Sequence, residues 1–233
     1  MNGGTEVTPM RIAAHVEPQM STRRMYPATT EMGGTTSDSH AYARSMSRTL
    51  FVIFVTVLVI ACAPRPALSG TELQAKDAPD FTLTDGLSGN AVSLSSLRGR
   101  VVVLSFLYTR CPDTCPITAA KFRAAQNTLG TDAANFVAVS VDPDGDTPAA
   151  VRAFSDRHEL REGWRYLIGT RAQLQVVWAK YGVGAFSSAT DSSVAHNDAI
   201  FVIDPKGRER ELVHSDIAVS SLVSDVRVLM NER

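Results

Sequence analysis

An α/β sandwich with a mixed central sheet is the fold class this sequence predicts, and three observations predict it. Val101 to Tyr108 and Asn135 to Val141 are apolar runs of the kind found in strands buried on both faces. Each is followed by a segment of helical spacing, the alternation that builds parallel strands joined by crossover helices. Near the C-terminus, Ala199 to Ile203 and Arg210 to His214 are joined through Asp204-Pro205-Lys206-Gly207 as a β-hairpin, which brings antiparallel strands into the sheet.

Taken in order, Phe81 to Thr84 and Ala91 to Leu94 read as two short strands around the turn Asp85 to Asn90, a hairpin extension at the start of the domain. Val101 to Tyr108 is the central strand. The following helix carries Ile117, Ala120, Lys121, Phe122, Ala124, Ala125 and Leu129 at helical spacing, with Pro116 suited to its first position and Gly130 to its end. After the strand Asn135 to Val141, Thr147 caps a helix reaching His158, with Pro148 in its first turn. Tyr166 to Ile168 is a short strand, and Arg171 to Tyr181 a helix that stops at Gly182. A flexible Gly/Ser/Ala passage runs to Ser193, the C-terminal hairpin follows, and Ile217 to Met230 closes the chain as an amphipathic helix.

The whole chain has 233 residues, 44% of them hydrophobic, and a formal charge of -1, which suits one globular domain behind a leader. Nothing in that balance suggests a nucleic-acid partner. Residues 1–45 mix Gly, Thr, Ser, Pro and Met without apolar periodicity and read as disordered or as a mis-assigned start, Met46 being the better one. Residues 46–62 read as a lipoprotein-type signal or a membrane anchor. The apolar run Leu50 to Ala61 has the length of a signal core and falls short of the roughly 20 residues a spanning helix needs.

The run ends Val59-Ile60-Ala61-Cys62, which resembles a bacterial lipobox. Arg48 would then be the positive leader residue, Ala61 the residue before the cut, and Cys62 the lipid-bearing N-terminus. The other reading is an uncleaved anchor. Either way the domain lies outside the cytoplasm, on the periplasmic side, tethered to the membrane. Residues 63–76 form a polar tether, and residues 77–233 the domain.

Chemistry concentrates in Phe106-Leu-Tyr-Thr-Arg-Cys-Pro-Asp-Thr-Cys-Pro116, where two thiols lie four positions apart at the end of the central strand. Pro116 biases Cys115 away from helical backbone, so the pair is expected in a tight loop with Cys115 near the helix N-cap. Unpaired N–H groups and the helix dipole there favour a thiolate at Cys115. A Cys-x3-Cys pair alone is compatible with a structural disulfide, a redox dithiol or two legs of a metal site.

Of the five histidines, His15 and His40 fall in the leading region. His158 reads as part of a solvated helix face and His214 as a surface residue. His196 ends the Ser/Ala/Thr passage just before a strand, which puts an imidazole at the end of the sheet where the cysteine loop lies. Asp113 is a turn former, a tuner of thiol acidity or part of a partner surface, and Tyr108 packs. Asp142, Asp144 and Asp146 lack the glycine and glutamate spacing of a calcium loop, and read as a loop in which Asp146 and Thr147 cap the next helix.

Three segments together resemble the Sco (SenC) family of thioredoxin-fold copper chaperones for cytochrome c oxidase assembly. They are Tyr108 to Pro116, Val139-Ser-Val-Asp-Pro-Asp-Gly-Asp-Thr-Pro148, and His196 with Ala199-Ile-Phe-Val-Ile-Asp-Pro-Lys-Gly207. The resemblance implies a thioredoxin-like α/β/α sandwich and a copper site made by Cys111, Cys115 and His196. Two thiolates and an imidazole suit Cu(I), and Cu(II) accepts them with a weak extra donor. Zinc would want a fourth ligand.

The chain differs from redox thioredoxins in its Cys-x3-Cys spacing and in having His196-Asn197-Asp198 where those carry a proline. Asn197 stands where Ser or Thr is common in the Sco family.

The expected function is therefore that of a copper metallochaperone delivering to the dinuclear copper site of cytochrome c oxidase. Its partners would be the copper-site subunit of that oxidase and a thiol reductase of the thioredoxin class that keeps the cysteines reduced. The alternatives are a thiol-disulfide oxidoreductase using Cys111 and Cys115 on the acceptor's cysteines, and a peroxidase-like or purely structural disulfide domain.

Overall fold

The protein, described from a computed structural model, is defined over residues 67–160, 162–187 and 194–232, with 185–187 and 194–196 known by backbone alone. The readings of residues 1–45, of 46–62 including Cys62, and of the first part of the tether lie outside the described residues.

Among the described residues eight strands form one mixed sheet. At its centre β4 (Val101–Leu107) and β5 (Ala134–Ser140) run parallel, pairing Val101 with Ala134 and Leu107 with Ser140. All seven residues of each are buried, which is why both segments read as unbroken apolar runs rather than alternating ones. Parallel β6 (Trp164–Ile168) follows, and the antiparallel hairpin of β2 (Thr82–Asp85) and β3 (Ala91–Ser93) extends that side. On the other side β9 (Ile200–Ile203) runs antiparallel to β4, and β10 (Glu209–Val213) antiparallel to β9. The edge strand β1 (Thr71–Glu72) joins β10 from within the stretch read as tether. Two residues are too few to leave a periodic signal.

Helices α1 (Thr114–Leu129) and α4 (Val219–Met230) pack together, α1 reaching β5 and α4 reaching β4. Helix α2 (Pro148–Arg157) is capped by Thr147, whose hydroxyl accepts the Ala150 N–H at 3.2 Å, and Pro148 opens its first turn. Helix α3 (Arg171–Lys180) begins with a reciprocal capping box between Thr170 and Gln173. Strands alternating with helices and closed by an antiparallel hairpin give the α/β sandwich expected.

Two local expectations need correction. Helix α1 starts at Thr114, with Asp113 as N-cap, so Cys115 lies inside the first turn and Pro116 is its third residue. Proline is tolerated there because its missing N–H would have had no partner within the helix. The Gly/Ser/Ala passage also holds two short antiparallel strands, β7 (Ala185–Ser187) and β8 (Val194–His196), paired Ala185 to His196.

Where β1 joins β10, two carboxyls are buried, Glu211 at 0% exposure and Asp225 at 1%. Ser69 donates its N–H at 3.2 Å and its hydroxyl at 3.1 Å to Asp225 Oδ1, and the Gly70 N–H donates to Glu211 Oε1. Gly70 has no room for a Cβ, which would strike Val213 and the Leu212 carbonyl. Glu211 Oε2 and Asp225 Oδ2 are both buried without a hydrogen-bond partner, and a proton on Glu211 turned toward Asp225 would satisfy both.

Burial, reinforced by the charge of Asp225, pushes the Glu211 carboxyl from 4.5 up to about 7. The folded protein therefore holds a proton that the unfolded chain releases, and the stability this proton supplies is lost as pH rises from about 4.5 through 7. Urea unfolding at pH 5 and pH 8 is expected to show a loss on the order of 1–3 kcal/mol from this pair. Glu211→Gln, which supplies a permanent N–H donor, is expected to flatten the dependence. An equal pH dependence in wild type and variant would contradict a proton on Glu211.

Candidate metal centre

The central strand delivers the cysteines. After Leu107 the chain turns, and the Cys111 N–H closes the turn on the Tyr108 carbonyl at 3.2 Å. Asp146, 3% exposed, pins this turn from below. Its Oδ1 accepts the Thr109 N–H at 2.9 Å and the Thr109 hydroxyl at 2.8 Å, and its Oδ2 accepts the Ser140 hydroxyl at 2.6 Å and the Tyr166 hydroxyl at 2.9 Å. One carboxylate thus ties together the ends of β4 and β5 and the middle of β6. Beside it the Arg110 guanidinium pairs with Asp142 at 2.6 Å, and Gly145 lies so close that a Cβ would strike both.

Cys111 is half-buried and Cys115 fully buried, and neither is in a disulfide. The Cys115 N–H points at Cys111 Sγ from 3.4 Å, and the Thr114 hydroxyl lies 4.0 Å away. The Cys115 thiol donates to Cys111, and this hydrogen bond is the largest influence on both groups. With the N–H groups of Asp113 and Cys115 and the Thr114 hydroxyl, it lowers Cys111 to about 5 against the opposing effect of burial. Donating that hydrogen bond, together with burial, pushes Cys115 far up.

The reduced pair is therefore a thiolate at Cys111 and a thiol at Cys115, the reverse of the expected assignment. Helix α1 starts early enough that its first N–H groups aim at the upstream sulfur, while Cys115 is sealed in the core. Iodoacetamide is expected to alkylate Cys111 at neutral pH, with the rate falling only below about pH 5. A reaction that sets in near pH 8 or 9 would contradict this.

His196 is the last residue of β8, and its ring lies outside the described residues. Its backbone position is informative. Strand β9 begins four residues later and runs antiparallel to β4 with Ile200 beside Ser105, so the chain before Ile200 lies toward the end of the sheet where β4 gives way to the cysteine loop. Sulfurs and histidine segment thus share one sheet end. Among the described residues no cluster of three potential ligands forms.

The remaining residues separate as follows. Asp113 is the exposed N-cap of α1 and makes no side-chain cap bond. Tyr108 is packed in the core. His158 lies against Phe154, ring centres 4.6 Å apart, rather than on a solvated face, and burial lowers its pKa. His214 is exposed and its Nδ1 meets the Asp198 carbonyl. Thr147 caps α2 as expected. Asp146 does not, having turned inward to the cysteine turn, because four buried donors converge there.

The SCO1/SenC family pattern matches residues 69–231, most of the chain. The chain belongs to the SCO1/SenC family. A copper-bound Sco structure, ScoI of Bradyrhizobium japonicum, is 28% identical and covers 66% of this chain and 99% of its own, with a TM-score of 0.60. A SCO2-like protein of Rickettsia prowazekii is 25% identical over 189 residues, covering 76% of this chain and 91% of that relative. BsSco, 22% identical with a TM-score of 0.60 over 70% of this chain and 99% of its own, is presented with a disulfide switch and as one of the Sco family of cytochrome c oxidase assembly proteins. Copper is thus a metal of the SCO1/SenC family, and its structures share the thioredoxin-like fold.

Proposed function

We propose that this SCO1/SenC protein is a copper metallochaperone that holds one copper ion through Cys111, Cys115 and His196 and delivers it to the dinuclear copper site of cytochrome c oxidase during assembly. The observation that carries the proposal is the donor set. A thiolate poised at neutral pH, a second sulfur joined to it by a hydrogen bond, and a histidine segment at the same sheet end make a soft, low-coordination site suited to Cu(I). Binding releases the Cys115 proton, so metal affinity rises with pH.

The acceptor is the copper-site subunit of the oxidase, and transfer proceeds by exchange of thiolate ligands. A thioredoxin-class reductase keeps the pair reduced, since the disulfide cannot bind copper. The leader through Cys62, as lipid or as uncleaved anchor, holds the domain on the periplasmic face of the membrane.

A second reading has its own observation. A half-exposed acidic thiolate beside a buried thiol is also the layout of a dithiol reductant, in which Cys111 attacks a disulfide and Cys115 resolves the mixed disulfide. His196→Ala separates the two. The metallochaperone reading expects tight copper binding and oxidase assembly to fail in this variant while dithiol exchange with a small disulfide proceeds at the wild-type rate. Full oxidase assembly by the variant would overturn it in favour of the reductant.

A further inference from the structure

The two residues after His196 are held in a way a simple turn does not need. The Asn197 carboxamide accepts the Gly184 N–H at 3.2 Å through Oδ1 and donates through Nδ2 to the Gly182 carbonyl at 3.3 Å. These partners lie 13 and 15 residues away, whereas an asparagine shaping its own turn bonds about two residues on. They sit just outside the Ala185–His196 pair that closes the β7–β8 hairpin, so one side chain spans the chain entering β7 and the chain leaving β8. Asparagine suits this because it carries a donor and an acceptor on one rigid plane.

Asp198 holds the next residue from another direction. Its Oδ2 accepts the N–H of buried Ser215 at 2.8 Å, 17 residues away, and its backbone carbonyl meets His214 Nδ1. Ala199 and Ile200, which follow, are buried in the core. The backbone leaving His196 is therefore tied to the α3–β7 junction by Asn197, to the β10–α4 turn by Asp198, and then to the sheet by β9.

We infer that Asn197 and Asp198 are positioning residues for copper binding, setting where the His196 backbone stands relative to Cys111 and Cys115; the inference rests on the ligand assignment proposed above. Groups outside the ligand shell that orient a ligand commonly contribute roughly 10–100-fold to metal affinity.

The test is a copper competition against a chromophoric chelator, with the full chain in detergent under reducing conditions, together with the electron paramagnetic resonance spectrum of the Cu(II) form. Asn197→Ala and Asp198→Ala are each expected to weaken copper binding roughly 10-fold or more and to shift the spectrum. Asp198→Asn, which keeps the acceptor for Ser215, is expected to retain wild-type affinity. In a His196→Ala background neither alanine variant is expected to weaken binding further.

Urea unfolding of the copper-free protein is expected to remain one cooperative transition, shifted modestly in Asp198→Ala because the Ser215 N–H loses its acceptor, and alkylation of Cys111 to keep its wild-type rate, which separates positioning from loss of fold. Wild-type affinity in both alanine variants, or an undiminished loss in the His196→Ala background, would overturn the inference. If His196→Ala itself binds copper as wild type does, the ligand assignment falls, and this inference with it.

Discussion

Changing Cys111 or Cys115 to Ser is expected to remove copper from the reduced protein in a chelator competition. Each loss is expected to exceed the roughly 10–100-fold that follows removal of an outer-shell group, because a hydroxyl replaces a soft thiolate in the ligand shell. The two variants differ before metal is added. In Cys115→Ser the neighbouring thiol, the largest influence on Cys111, is replaced by a weaker hydroxyl donor, so the Cys111 pKa rises from about 5 toward its ordinary range and alkylation slows at neutral pH. In Cys111→Ser the remaining thiol is buried and keeps a raised pKa, so alkylation of the native protein is expected to stop. Copper held at wild-type affinity by either variant would contradict the two-sulfur site.

The second large effect is on stability. Asp146→Ala leaves the Thr109 N–H and the hydroxyls of Thr109, Ser140 and Tyr166 without their acceptor. A buried group without a partner costs about 1–3 kcal/mol, and hydroxyls that turn toward other acceptors reduce the total, so a loss of roughly 3 kcal/mol or more is expected in urea unfolding. Asp146→Asn, of the same shape and with one acceptor oxygen, is expected to lose less. Because Thr109 lies two residues before Cys111, the alanine variant is also expected to weaken copper binding under conditions where it remains folded. An alanine variant as stable as wild type would show that the carboxylate is not the keystone of this turn.

The sheet was legible in the sequence because burial on both faces writes itself as unbroken valine-rich runs, as in Val101 to Tyr108. Helix α2 was legible because Thr147 and Pro148 are strong start signals. Helix α1 was legible from Ile117 to its end at Gly130 but not at its start, since Pro116 reads as a first residue but stands third, and that shift of two residues moved the acidic sulfur from Cys115 to Cys111. The ends of β1, β7 and β8 left no trace because strands of two or three residues carry no period.

At the site, the cysteine pair and His196 stood out by residue type. Asp146 was visible only as one acid among three. What distinguishes it is the convergence of Thr109, Ser140 and Tyr166, residues far apart in sequence, which only the folded sheet brings together. The same holds for Glu211 and Asp225, which their charge would place facing water but which lie buried, on the strand face of Val213 and the helix face of Leu222 and Leu229.

The most direct measurement is copper-edge X-ray absorption on the reduced protein loaded with one equivalent of Cu(I), compared between wild type and His196→Ala. Two sulfur neighbours and one imidazole nitrogen are expected in wild type, and the loss of the imidazole shell alone in the variant. Identical spectra from the two proteins, or a wild-type site with sulfur neighbours only, would contradict it.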